Sequence, residues 1–464
     1  MPEVMEQKIT EKQEIFLASF RELEKKLAGK EPAWLSRIRR EAIERFAAIG
    51  FPTTRDEEWK FTSVAPLAEI SFSPAAKESL AGFSKDLAQK WLGEGLRNRL
   101  VFVNGRYSES MSSVENLPRG VLVGSLAAAL QQADRQLEAH LARYAVYRNH
   151  AFAALNTALW EDGAYLRIPK GTVVEEPVHV LYVSTAGKQA SVSHPRTLLV
   201  AEPDSQVTLI ESYVGLPEGV CFSNAVTEIV AGENSVIDHY KLQKENGQSY
   251  HIAVLQVHQE RNAHVSSCSI SLDGALVRND VNVTLDAEGA ECVLNGLYMA
   301  GGRQHVDNHT TVDHAKPHGT SRQLYKGILS GHAAGVFNGK ILVRKDAQKT
   351  NAVQYNKNLL LSENAAVNTK PQLEILADDV RCTHGATVGQ IDPEAVFYLR
   401  SRGIGQQDAQ SLLTYAFAGE VIERIRPEPV RTQVQTALFA RLSATTSLTT
   451  SLTPPRTTSL QEAV

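Results

Sequence analysis

The chain has 464 residues, 43% of them hydrophobic and 22% charged, with a formal net charge of −4 at pH 7. This composition is ordinary for a globular protein long enough for more than one structural region, and its scattered basic residues argue against a nucleic-acid or anionic-membrane partner. No apolar run approaches the roughly 20 residues needed to cross a bilayer, the acidic opening Met1–Glu6 has no apolar signal core behind it, and the four cysteines form no Cys-x-x-Cys pair, so a reduced, cytoplasmic setting is expected.

Residues 1–162 read as mostly helical. Leu35, Ile38, Ala42, Phe46 and Ile49 recur at intervals of three and four, lining one face of a helix that Gly50 and Pro52 stop. Residues 126–160 repeat that pattern, and between the two stretches a short strand is predicted at Leu100–Val103, before the turn Asn104-Gly105. From 163 to 391 the character changes to short Val-, Ile-, Leu- and Thr-rich runs separated by Gly, Asn, Asp and Glu. A turn-then-strand phrase returns at Ala201, Ala231, Gln259 and Asp286, a spacing of roughly 28–30 residues that signals stacked repeats. Each unit is too small to bury its own apolar face, so a parallel β-helix is expected, with an ordinary pair of β-sandwiches as the alternative. In 392–430, Asp392 and Pro393 start a short helix that Gly403 can end. A longer one follows, with Ala409, Leu412, Leu413, Ala416, Phe417 and Val421 on one stripe. Residues 431–464, rich in Thr, Ser and Leu, are expected to form a largely disordered tail.

Standard catalytic signatures are missing. The segment Gly335–Ile341 has one residue too few between its glycines for a phosphate loop and lacks the Ser or Thr that holds magnesium, so it is read as a turn between strands. No Gly-x-Ser-x-Gly elbow and no His-Glu-x-x-His helix is present. Five histidines (His305, His309, His314, His318 and His332) crowd one interval. On a strand His305, Asp307 and His309 would share a face, which suits either a metal or simple hydrogen bonding. Cys382 and His384 would likewise point the same way, offering a soft thiolate beside an imidazole, a pair suited to iron or a sulfide-bearing cluster. Two ligands cannot complete a tetrahedral site, so a site shared across a subunit interface is one reading; a structural cysteine beside a hydrogen-bonded histidine is the other.

The run Lys370–Gly389, containing Val380-Arg381-Cys382-Thr383-His384-Gly385, strongly resembles the signature of the SufB/SufD family of iron–sulfur cluster assembly proteins, as does Phe397–Ile404. Arg55–Thr62 resembles the N-terminal marker of the family's SufD branch, and the likeness runs from about Phe51 to Ile425. The resemblance implies a mainly β protein, a right-handed parallel β-helix flanked by N-terminal and C-terminal α-helical regions. It implies a heterodimer with SufB through the β-helix ends and a SufC ATPase on the C-terminal helices, and it leaves open a homodimer of the isolated chain. It further implies a non-catalytic scaffold with no nucleotide of its own, and a transient iron–sulfur cluster or iron shared with SufB. In that scheme the ligands are a SufB cysteine and the histidine matching His384, while Cys382 matches a neighbouring family cysteine. A SufB-like member is the alternative within the family. Outside it stands a polysaccharide-active β-helix enzyme using groups such as Asp307, Asp313 and Lys316, although such enzymes are usually exported and no signal is seen here.

Overall fold

Repeats that cannot bury their own apolar faces bury them against the next repeat, and here the stacking produces two facing sheets. The computed structural model describes residues 11–75, 95–132, 134–185, 189–216 and 218–444. The first sheet passes from Gly163–Ile168 through Arg196–Ala201, Cys221–Ala231, Tyr250–Gln259, Leu276–Leu285, His305–His314 and Ala334–Val343 to Ala366–Ile375. The second passes from Asn98–Val103 through Val178–Ser184, Gln206–Gly215, Val236–Lys244, His264–Ser271, Glu291–Ala300, Thr320–Leu329 and Asn351–Leu360 to Arg381–Gly389. Neighbours along both paths pair in parallel, and the chain crosses from one sheet to the other at each turn of a β-solenoid. Inward side chains, among them Leu166, Leu199, Ile229, Val257, Val283 and Val312, fill the space between the sheets. The segment 335–341, expected as a turn, lies inside the strand Ala334–Val343. Its glycines are needed there because inward neighbours fill the space: a Cβ on Gly339 would lie 1.8 Å from Nε2 of Gln354.

The repeated phrases are the tight turns from the first sheet to the second. Asp204, Asn234, Asn262, Gly289, His318 and Lys349 occupy one position of successive turns, all with φ between 52° and 73°. Each donates its backbone N–H to the turn above, as from Asn234 to the Arg261 carbonyl at 2.8 Å and from Lys349 to the Asp379 carbonyl at 2.7 Å. Asn and Asp tolerate this left-handed conformation better than other non-glycine residues. The side chains of Asp204, Asn234 and Asn262 form a ladder of their own.

Both outer faces are covered by helices. At the N-terminus α1 (Glu11–Leu27), α2 (Ala33–Ile49), α3 (Ala65–Ala68), α4 (Leu126–Gln131), α5 (Arg135–His140) and α6 (Ala151–Leu159) form a cap. In it the wholly buried α6 lies against Phe222 and Val226 of the first sheet. The division expected at 162/163 is not a structural boundary, because Asn98–Val103 pairs in parallel with Val178–Ser184 of the second sheet. Three C-terminal helices follow, α7 (Pro393–Ser401), α8 (Gln406–Ile422) and α9 (Glu428–Ala444). The side chain of Asp392 caps α7 by accepting from the N–H of Glu394.

Two C-terminal expectations need correction. The tail expected from 431 is helical as far as Ala444, because Val430, Val434, Leu438 and Leu442 bury one face of α9 against Tyr240, Leu242, Leu297 and Met299; residues 445–464 lie outside the described residues. On α8 the buried residues are Ala409, Thr414, Ala418, Val421 and Ile422, while Leu412 and Ala416 are exposed. Ala418, Val421 and Ile422 of this helix join the cluster on the second sheet. No helix among the described residues is long and apolar enough to cross a membrane.

Candidate functional site

A stack of coils covered on both flanks has two ends. At the early end the antiparallel strands Arg106–Tyr107 and Leu122–Ser125 close the two sheets. At the late end Ala366–Ile375 and Arg381–Gly389 are edge strands, each hydrogen-bonded on one side only among the described residues. Pro371 sits in the first of them, in the kind of strand that tolerates proline.

His384 and Cys382 are on the last strand. Their register partners are Gln354 and Ala352, both fully buried in the interior. By the alternation of a strand Cys382, His384, Ala386 and Val388 therefore belong to the inward-facing row, but no further coil covers them. His384 is exposed and Cys382 half-buried, the latter packed against the cluster of Ile341, Val343, Ala347, Ala352 and Ala377. Burial pushes the Cys382 thiol above its ordinary pKa, so it needs a metal or a cation to become a thiolate. The two edge strands and the turn between them also expose apolar side chains: Ile375, Leu376 and Val388 are 40%, 57% and 47% exposed. No group of three or more His, Cys, Asp and Glu side chains among the described residues is placed to hold a metal ion. This end presents an exposed imidazole and a half-buried thiol.

The crowded histidines serve other purposes. His305, Asp307 and His309 do share a face, the outer face of the first sheet, and what they hold is the segment 57–62. Thr62 Oγ1 donates to Asp307 at 2.5 Å and accepts from His305 Nε2 at 2.9 Å. His309 lies between Asp307 (Nε2–Oδ1 3.1 Å) and Glu58 (Nδ1–Oε2 3.2 Å). Arg278, missed in the sequence, is the centre of this lock. It pairs with Asp280 and Asp307, both at 2.8 Å, donates to the Glu58 carbonyl at 2.7 Å and lies 3.8 Å from the centroid of the Trp59 ring. Glu57 pairs with Lys370, so the segment 55–62 touches the run 370–389 directly. His318 is a turn residue, His332 is exposed in the turn on the other side, and His314 is buried against Ser321 with its pKa pushed down to about 4. A cleft of 660 Å³ beside the lock, lined by Glu58, His150, Arg278, Asp280 and His309 among others, lies outside the first sheet, whereas His384 is on the inner face of the second.

The C-terminal helices offer a second exposed surface. No residue of α7 is buried, and Phe397 and Tyr398 are 72% and 57% exposed, with Leu412 of α8 at 48%.

Comparison with known proteins gives two family matches: the SufBD protein N-terminal region over residues 10–180 and the SufBD core domain of the SUF iron–sulfur cluster assembly system over residues 182–417. An iron–sulfur cluster assembly SufBD family protein of Synechocystis sp. is 36% identical, the match covering 86% of this chain and 89% of that protein. The iron–sulfur cluster assembly protein SufD of Escherichia coli is 34% identical (86% and 91%), and that of Bacillus subtilis 27% identical (88% and 94%).

Proposed function

Because this chain belongs to the SufBD family of iron–sulfur cluster assembly proteins, we propose that it is a SufD-like, non-catalytic scaffold subunit working in the cytoplasm with SufB and SufC partners. The observation that carries the reading is the position of His384 on the inward row of an uncovered last coil. A SufB solenoid meeting this end can continue both sheets by edge pairing, cover the apolar rim of Ile375, Leu376 and Val388, and bring its own cysteine to the imidazole. His384 then ligates the iron of a nascent cluster, which is cargo shared between the subunits, and Cys382 acts beside it in a lesser role. The exposed face of α7 and α8, with Phe397, Tyr398 and Leu412, is the seat for the SufC ATPase. Nucleotide-driven pairing of two SufC subunits would pull on these helices, which rest on the second sheet through Ala418, Val421 and Ile422, and so open the shared site.

Anaerobic co-expression with the SufB- and SufC-family proteins, followed by iron and sulfide analysis of the purified complex, tests this. His384→Ala is expected to leave the three-protein complex intact and abolish cluster assembly, with a smaller loss for Cys382→Ser. Full cluster content in the His384→Ala complex would remove this residue from the mechanism.

A further inference from the structure

We propose that in the assembled complex Gln354 is the residue that positions His384, accepting a hydrogen bond from one ring nitrogen so that the other faces the incoming iron. This inference rests on the reading of His384 as an iron ligand. The two residues are register partners in adjacent parallel strands, so their side chains share the interior face at a strand spacing of about 4.8 Å. Gln354 is fully buried, and its Nε2 donates to the carbonyl oxygen of Gly339 at 3.1 Å. That bond fixes which way round the amide sits, because only its donor end can face a carbonyl. Gly339 makes room for it: any larger residue there would place its Cβ on the Gln354 nitrogen.

With the nitrogen held, the Oε1 of Gln354 is a buried acceptor that no described residue reaches. Buried acceptors in folded proteins find donors, and the ring N–H of His384 is the donor one step along the row. An imidazole that ligates a metal through one nitrogen usually gives its other N–H to such an oxygen, which sets the tautomer and raises the basicity of the ligating atom. One competitor exists in the same row. Gln323, the register partner of Gln354 on its other side, accepts from Thr310 Oγ1 at 2.8 Å and has an Nε2 that no described residue reaches. If the Gln354 oxygen serves only that amide, its role is packing and His384 is indifferent to it.

Anaerobic Fe²⁺ titration of the co-purified complex separates the two, with the melting temperature of each full-length chain measured alongside. Q354M is expected to weaken Fe²⁺ binding by about 10- to 100-fold with the complex intact. Q354E, whose buried and protonated carboxyl can donate to Gly339 and still present an oxygen, is expected to restore most of the affinity. Q354N, which keeps the amide but withdraws it by one methylene, should show the same loss and serves if Q354M does not fold. A lower melting temperature with unchanged Fe²⁺ affinity in Q354M or Q354N, while H384A abolishes binding, overturns the positioning role and leaves the ligand reading standing. Unchanged Fe²⁺ affinity in H384A removes the ligand reading and this inference with it.

Discussion

His309 is a cation by construction. Burial alone would lower its pKa, but the carboxylate of Asp307 on one ring nitrogen outweighs that, with help from Glu58 on the other, and holds it up at about 9. Asp307 is the stronger partner, being buried, whereas the side chain of Glu58 is 66% exposed. A folded pKa above the unfolded value of about 6.5 means that the contribution is complete below about pH 6.5 and is lost as the pH rises through about 9, on the order of 3 kcal/mol in all. The melting temperature of the wild-type chain is therefore expected to fall between pH 6.5 and 9.5 more steeply than that of His309→Gln. Parallel curves would show that the imidazole is neutral in the folded state. Strand alternation put His305, Asp307 and His309 on one face, and that much was legible in the sequence. Their partners were not, since Glu58 and Thr62 stand more than 240 residues away along the chain and local periodicity carries no record of such contacts. Arg278 was invisible for the same reason: a lone arginine on a strand looks like a surface residue until Trp59 covers it.

At the level of elements, the turn ladder holds the coils in register. Gly289 occupies the position that Asn262 and His318 fill in the neighbouring turns, with φ +73°, and a Cβ there would meet Asn262 Oδ1 at 2.3 Å. Gly289→Ala is expected to destabilise the chain by about 1–2 kcal/mol through left-handed strain, since the exposed Asn262 amide can swing aside. Lys349→Gly, at the equivalent position with φ +63°, should be nearly neutral. It relieves strain of about 1–2 kcal/mol but gives up unfolded-state stiffness and an exposed ion pair with Asp379. Urea denaturation of the two variants checks this, and equal losses would mean that backbone strain does not govern the ladder. These turns were the legible part of the fold because their chemistry recurs at the repeat period. The C-terminal helices were read less well. Val430, Val434, Leu438 and Leu442 recur at intervals of four, a signal for α9 that the Thr- and Ser-rich composition masked. On α8 the expected stripe held at Ala409 and Val421, which are buried, and missed at Leu412 and Ala416, which are exposed while Thr414, Ala418 and Ile422 are buried.

The whole molecule is asymmetric along its solenoid axis, and that asymmetry is what a partner can read. Helices cover both flanks and antiparallel strands close the early end; at the late end two edge strands and the apolar side chains of Ile375, Leu376 and Val388 face outward. Long unprotected edges invite association, and natural sheets that keep them usually have something to pair with. If the late end is the interface, charge placed on its rim should cost association and little else. The double substitution Leu376→Lys, Val388→Lys alters only exposed positions, so the melting temperature of the isolated chain should hardly move, in line with surface changes of about 0.5 kcal/mol or less. Burying two unpaired ammonium groups against a partner costs several kcal/mol, and each 1.4 kcal/mol weakens binding about tenfold. Co-purification with a SufB-family protein is therefore expected to be lost, while a SufC-family protein, for which α7 and α8 are the proposed seat, is expected to be retained by the variant chain. Stoichiometric SufB in the purified complex would place the subunit contact elsewhere on the solenoid. Loss of SufC together with SufB would show that the two seats are coupled through the second sheet, on which both the last strand and α8 depend.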